Sequence, residues 1–182
     1  MLKKVIFIDR DGVINQDSPE YVKSWSEFKF IPGSLDAIRR LTETGHVLFV
    51  ITNQSAVGRK LITPETLMTM HQNLCDAVTE TGGRITDIFF CPHLPEDRCG
   101  CRKPLPGLIH QAVRQYDIDL PDAVMIGDSA KDIECGKNAG CKTLLVLTGN
   151  GYCTLQKLTQ TGMFPDTVTA DLNAAAEWII AR

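Results

Sequence analysis

Five short apolar runs rich in β-branched residues, Val5–Ile8 and positions 47–51, 85–90, 123–126 and 143–147, are each bounded by glycine, proline or an acid. A strand covered on both faces has no solvent side to keep polar, so it reads as a short unbroken apolar run, and these runs predict buried parallel strands. Between them, helical patterns cover 34–44, introduced by Pro32-Gly33 and closed by Gly45; 64–81, with Thr63 as N-cap and Gly82 beyond the end; and 106–116. Strand alternating with helix predicts a doubly wound, mainly parallel α/β sheet, extended by a strand at 167–168 and a helix at 172–180. Sites in such sheets gather beyond the carboxyl ends of the strands.

The chain of 182 residues has no linker composition and no repeat, so a single domain over 1–182 is expected. Its formal net charge of -3 provides no basic field for nucleic acid, and no apolar run approaches the roughly 18 residues needed to span a membrane. The N-terminal MLKKVIFID is too short in apolar residues for a signal peptide, whose apolar region takes roughly 7 to 15. A cytoplasmic protein acting as a monomer on a small molecule is expected. In a reducing compartment the seven cysteines read as metal ligands or small buried hydrophobes rather than disulfide partners.

The predicted strand ends are rich in chemistry. The first closes on Ile8-Asp9-Arg10-Asp11-Gly12, with two carboxylates two residues apart, which repel unless a cation or proton separates them. The second closes on Thr52-Asn53-Gln54-Ser55, a hydroxyl with two amides, and the fourth on Gly127-Asp128-Ser129-Ala130-Lys131-Asp132. Lys103 lies in the connection after the third. Together these supply a hard-cation site and donors for an anion, as magnesium-dependent phosphoryl transfer requires. Next to Lys103, Cys91, His93, Cys99 and Cys101 fall in a C-x-H-x5-C-x-C spacing within loop 91–101. Three thiolates and an imidazole suit a closed tetrahedral zinc, which would fix where Arg102 and Lys103 point. Cys75, Cys135, Cys141 and Cys153 are scattered and read as small buried hydrophobes, and His46, His71 and His110 lack partners at useful spacing.

Asp9-x-Asp11-Gly12, Thr52, Lys103 and Gly127-Asp128-x-x-x-Asp132, in that order, resemble the four motifs of the haloacid dehalogenase superfamily, mostly phosphatases. The resemblance implies a Rossmann-like fold with Asp9 as nucleophile, forming an aspartyl-phosphate, and Asp11 as general acid and then base. It implies magnesium held by Asp9, the Asp11 backbone carbonyl and Asp128, with Asp132 steadying the metal shell and Thr52 and Lys103 holding the phosphoryl group. The cysteine loop narrows the likeness to two cap-less groups, the D,D-heptose 1,7-bisphosphate phosphatases and the histidinol-phosphate phosphatases. Asp9 to Asn15, Tyr21-Val22, Thr52 to Ser55 with Arg59, Cys101 to Pro104 and Thr148 to Gly151 resemble the heptose group, which implies a role in making activated heptose for bacterial surface glycans. Ser129 stands where a lysine often follows the motif aspartate in that group, and the short cysteine loop is closer to the histidinol-phosphate group. By analogy Asp17, Ser18, Pro19, Glu20, Tyr21, Asn53, Gln54 and Ser55 line a sugar site, Arg102 contacts substrate, and Arg59 joins it in meeting a second phosphate.

Histidinol phosphate is the alternative substrate. A phospho-receiver switch would also use acids, magnesium, a hydroxyl and a lysine, but would end its third strand in an aspartate, where this chain has Phe90-Cys91. A zinc-based nucleic-acid module would want a basic face, whereas this loop carries Glu96 and Asp97.

Overall fold

Among the described residues six strands, β1 (Val5–Ile8), β2 (Val47–Asn53), β3 (Asp87–Cys91), β4 (Val124–Gly127), β5 (Lys142–Val146) and β6 (Thr167–Thr169), form one sheet in the order β3-β2-β1-β4-β5-β6. Every neighbouring pair is parallel. The computed structural model describes residues 4–182, so the start of the segment weighed as a leader lies outside the described residues. Among the described residues seven helices accompany the strands: α1 (Ser34–Glu43), α2 (Ser55–Gly58), α3 (Pro64–Glu80), α4 (Gly107–Tyr116), α5 (Ala130–Ala139), α6 (Gly151–Thr161) and, after β6, α7 (Leu172–Ile180).

The two-residue period of the strands divides the core. Ile6, Ile8, Leu48 and Val50 pack with Ile38 and Leu41 of α1, Leu67 and Leu74 of α3 and Leu172 of α7. The intervening Val5, Phe7, Phe49 and Ile51 pack with Leu108 and Ile109 of α4 and Cys135 of α5. Both faces of the central strands β1, β2 and β4 are therefore covered, which is why they carry no polar alternation. Each fully buried aliphatic or aromatic side chain here contributes about 1.5–3 kcal/mol. Thr63 caps α3 through its hydroxyl, which accepts from the Thr66 N–H at 3.2 Å, with Pro64 in the first turn, where a missing N–H costs nothing.

β2 runs two residues past its predicted apolar end, because the backbones of Thr52 and Asn53 continue the ladder opposite Phe90 and Cys91. Between β1 and β2 the elements are a short 3-10 turn, Trp25–Glu27, and α1; between β2 and β3 they are α2 and α3. No separate cap stands among the described residues. Nor is any described helix long and apolar enough to cross a membrane. Strand order reverses between β1 and β4, the crevice where doubly wound sheets place their sites.

Candidate active site and metal centres

Asp9 is the first residue beyond β1, and its N–H donates to Ile126 O of β4 at 2.9 Å, tying the acid to the crevice. Its Oδ1 accepts from the Arg10 N–H at 2.7 Å and lies 2.8 Å from Lys103 Nζ. Lys103, 2% exposed, also pairs with Asp132 Oδ1 at 2.6 Å and donates to Ile51 O at 2.9 Å, so three oxygens surround the ammonium. Its backbone is clasped by Asn53, which accepts from the Lys103 N–H at 3.1 Å and donates to the Lys103 carbonyl at 3.2 Å. Asp132 is in turn held by the Ser129 N–H at 3.0 Å and the Ser129 hydroxyl at 2.5 Å, so Ser129 anchors the start of α5.

Asp128 is the first residue beyond β4, and its Oδ2 accepts from Asn150 N at 2.7 Å and Asn150 Nδ2 at 3.2 Å. Gly12 and Gly149, both with positive φ, press against that carboxylate so closely that a Cβ on either would overlap it. One oxygen each of Asp9, Asp128 and Asp132 lies within 4.8 Å of the others. Three carboxylates thus face one ammonium. Burial, then the nearby Asp132, push the Asp9 carboxyl well above its ordinary range against the pull of Lys103. The same two causes raise Asp128 to about 6, against hydrogen bonds from Asn150. Burial opposes the charge on Lys103, but Asp132 and Asp9 outweigh it and strengthen its hold on the proton. Unneutralised oxygen donors from two strand ends, against a carboxylate cradled by glycine backbone, fit a hard divalent cation such as magnesium.

Asp11 lies outside that trio. Arg10 Nη2 donates to both its oxygens at 2.9 Å, Asn15 Nδ2 to Oδ1 at 2.8 Å and Gln54 Nε2 to Oδ2 at 2.7 Å. Burial pushes the Asp11 carboxyl up, but the Arg10 guanidinium and these hydrogen bonds outweigh it and hold it below the usual carboxylate range. Gln54 also donates to the Thr52 hydroxyl at 2.9 Å, linking the second strand end to the first.

In the loop after β3, Cys91 Sγ lies 3.5 Å from both Cys99 Sγ and His93 Nδ1. Cys101 Sγ is 3.3 Å from His93 Nδ1, 3.3 Å from Cys91 Sγ and 3.5 Å from Cys99 Sγ. These separations are far from a disulfide bond of about 2.05 Å. They approach the edge of about 3.8 Å that a tetrahedron with metal–sulfur bonds of ~2.3 Å requires, so the four residues fit zinc. Arg102 Nη1 donates to His93 O at 3.0 Å, joining that arginine to the loop. Of the remaining cysteines, Cys135 and Cys141 are buried as expected, Cys75 is half-buried and Cys153 is exposed.

A cavity of about 290 Å³ opens over the acids, and its walls include Asp17, Ser18, Pro19, Tyr21, Arg102 and Lys131. Residues 100–176 match the HAD-hydrolase-like family model. The D-glycero-β-D-manno-heptose-1,7-bisphosphate 7-phosphatase of Bordetella bronchiseptica is 45% identical over 97% of this chain and 98% of the relative. This chain belongs to the D,D-heptose 1,7-bisphosphate phosphatase family. The family member from Pseudomonas aeruginosa is 42% identical over 86% of this chain and 88% of its own length. The crystal structure of the B. bronchiseptica phosphatase complexed with magnesium and phosphate superimposes with a TM-score of 0.92 at 44% identity, covering 98% of each chain. That of the Burkholderia thailandensis phosphatase gives 0.76 at 35% identity, covering 99% of this chain and 100% of the other.

Within this heptose bisphosphate phosphatase fold, not every residue singled out from sequence reaches the cavity. Glu20 faces an adjoining groove beside Lys23 and Glu27, Ser55 is buried at the start of α2, and Asp132 sits behind Lys103. Arg59 does not wall the cavity; its Nε donates to the Tyr21 hydroxyl at 2.8 Å, so it braces the 17–21 loop. Four groups that carry no assigned role in the sequence also belong here. Arg10 and Asn15 hold Asp11, Asn150 holds Asp128 and donates to Asp17 Oδ2 at 3.3 Å, and Lys131 stands at the cavity wall with no hydrogen-bond or ion-pair partner among the described residues. Arg10, Asn15 and Asn150 lie inside motif-bearing stretches, which is the signal that could have found them.

Proposed function

We propose that the chain hydrolyses the 7-phosphate of D-glycero-D-manno-heptose 1,7-bisphosphate, passing the phosphoryl group through Asp9. The observation that carries this reading is the buried Lys103 ammonium set between Asp9 and Asp132, beside Asp128, at the crevice between β1 and β4. Full-length likeness to relatives named for this reaction supplies the substrate.

An Asp9 oxygen attacks phosphorus, the bond from phosphorus to the sugar oxygen breaks, and Asp11 gives that oxygen a proton. The incoming phosphate's charge raises the proton affinity of Asp11 for this step. Water then attacks the aspartyl-phosphate, Asp11 takes the water's proton, and Asp9 is released. The carboxylate form favoured by Arg10, Asn15 and Gln54 is the one this second step needs. Lys103 and the Thr52 hydroxyl hold phosphoryl oxygens. Magnesium, held by Asp9, the Asp11 backbone carbonyl and Asp128 with Asp132 behind them, supplies the positive charge that keeps Asp9 ionised and offsets repulsion between two anions. Zinc on Cys91, His93, Cys99 and Cys101 keeps the loop that carries Arg102 and Lys103 folded. Arg102, and Arg59 through Tyr21, serve the sugar and its second phosphate. The chain acts in this reading as a single-domain monomer, and thiolate ligands suit a reducing cytoplasm.

The test is a parallel assay on the heptose bisphosphate, histidinol phosphate and p-nitrophenyl phosphate, with product identified by phosphorus NMR. Preference for the bisphosphate with heptose 1-phosphate as product is expected; preference for histidinol phosphate, or loss of the 1-phosphate, contradicts the assignment.

A further inference from the structure

Arg10, between the two motif acids, is the largest of the fully buried side chains, at 1% exposure. A guanidinium carries five N–H donors and accepts nothing, so a buried one must find acceptors on several sides. Nε and Nη2 turn to Asp11, at 3.3 Å and 2.9 Å, and the Phe28 ring lies 5.6 Å from Cζ. Nη1 turns the other way, to Nε2 of His71 on α3 at 3.3 Å. Because arginine only donates, His71 must present a lone pair there, which makes it the neutral tautomer with its proton on Nδ1. His71 is 4% exposed and stands edge-on to Phe90, with ring centroids 5.5 Å apart, so the imidazole is packed in place. Burial, then the Arg10 charge, hold its pKa down to about 3, so it remains an acceptor at neutral pH.

We infer that His71 is a positioning residue for the acid–base step: it fixes the rotation of the Arg10 guanidinium, whose opposite edge then holds the Asp11 carboxylate at the cavity wall. Among the described residues His71 is the one side-chain acceptor of Nη1. Without it that nitrogen is left buried and unpaired, and the fork is free to turn away from Asp11. The effect reaches Asp11, whereas Asp9, Lys103 and Asp128 keep their own partners. The inference rests on the acid–base role given to Asp11 above.

The experiment compares His71→Leu, His71→Asn and His71→Gln, each alone and with Asp11→Asn, on p-nitrophenyl phosphate with magnesium. Glutamine places a carbonyl oxygen about where Nε2 lies, asparagine is too short to reach Nη1, and leucine offers no acceptor. His71→Leu and His71→Asn should each lower kcat about 10- to 100-fold with KM within about twofold, a fraction of the 10² to 10⁴ that a general acid–base group supplies. His71→Gln should return kcat to within about threefold of the natural protein. In the Asp11→Asn background all three should cost less than about twofold, since a residue acting through Asp11 has nothing left to position. Should His71→Leu fail to fold, the asparagine and glutamine pair carries the same contrast. Equal losses in asparagine and glutamine variants, or the same loss with and without Asp11, overturn the inference. Full activity of Asp11→Asn alone overturns the acid–base reading and with it any positioning role for His71.

Discussion

Lys103 Nζ lies 2.8 Å from Asp9 Oδ1, a contact between the end of β1 and the loop after β3 with both partners buried. Asp132 completes the pair from behind, so one ammonium restrains two carboxylates. Lys103→Met leaves both uncompensated. Removing one partner of such a pair costs about 3–5 kcal/mol. The loss should be largest near neutral pH and shrink in acid as the carboxyls take up protons, with phosphate release falling at least about 100-fold. Urea unfolding at pH 7 and pH 4.5, beside the activity assay, checks both.

Arg102 walls the cavity and is joined to the cysteine loop through His93 O. Because a remote phosphate is present only in the bisphosphate, Arg102→Ala should lower kcat/KM about 10-fold or more on that substrate and little on p-nitrophenyl phosphate. Equal losses on both would place Arg102 with the reacting phosphate or with the loop fold.

Asp128 gives a pH dependence whose sign follows from its raised pKa. A carboxyl held at about 6 in the folded chain, against 3.8 ordinarily, favours folding in acid and loses that contribution as pH rises through 6. The difference amounts to about 3 kcal/mol at ~1.36 kcal/mol per pKa unit. In chelator-treated protein at pH 7, Asp128→Asn should therefore be more stable than the natural chain by up to that amount, with the gap closing below pH 4. The same variant should lose stabilisation by magnesium and lose activity. Denaturant midpoints from pH 4 to 7, with and without magnesium, measure this.

The cysteine cluster predicts one zinc per chain by elemental analysis of protein purified without chelator. Exposed Cys153 should react first with a thiol reagent, while Cys91, Cys99 and Cys101 stay protected until zinc is removed. Cys101→Ser should lower zinc content and, through the displaced Lys103, turnover. Full thiol reactivity with no zinc would count against the site.

The central strands were legible because burial on both faces leaves an unmistakable apolar run: β1 begins and ends where the sequence places it, and so does the helix α7. β2 outruns its apolar stretch because a ladder needs backbone, not apolar side chains, so Thr52 and Asn53 extend it. The four-residue α2 is too short to show a helical period, and α6, no less amphipathic than α3, opens on Gly149-Asn150-Gly151, which reads as a turn. In the site, Asp9, Thr52, Lys103 and Asp128 could be brought together on paper, since adjacent parallel strands end side by side. The pairing of Arg10 with His71 could not, because nothing local in α3 marks a histidine that faces the end of β1. The bracing of Tyr21 by Arg59 is equally a matter of two loops meeting in space, and it took Arg59 out of the cavity wall where sequence analogy had set it.

Phosphoryl transfer through the Asp9 carboxylate leaves a covalent trace that acid-quenching the magnesium-loaded protein during turnover, followed by peptide mass spectrometry, detects. A single acid-stable, base-labile phosphoryl group is expected on the peptide containing Asp9, absent from an Asp9→Asn variant that keeps its fold and zinc but has lost turnover. Turnover by Asp9→Asn, or a phosphoryl group carried on any other residue, would contradict that route.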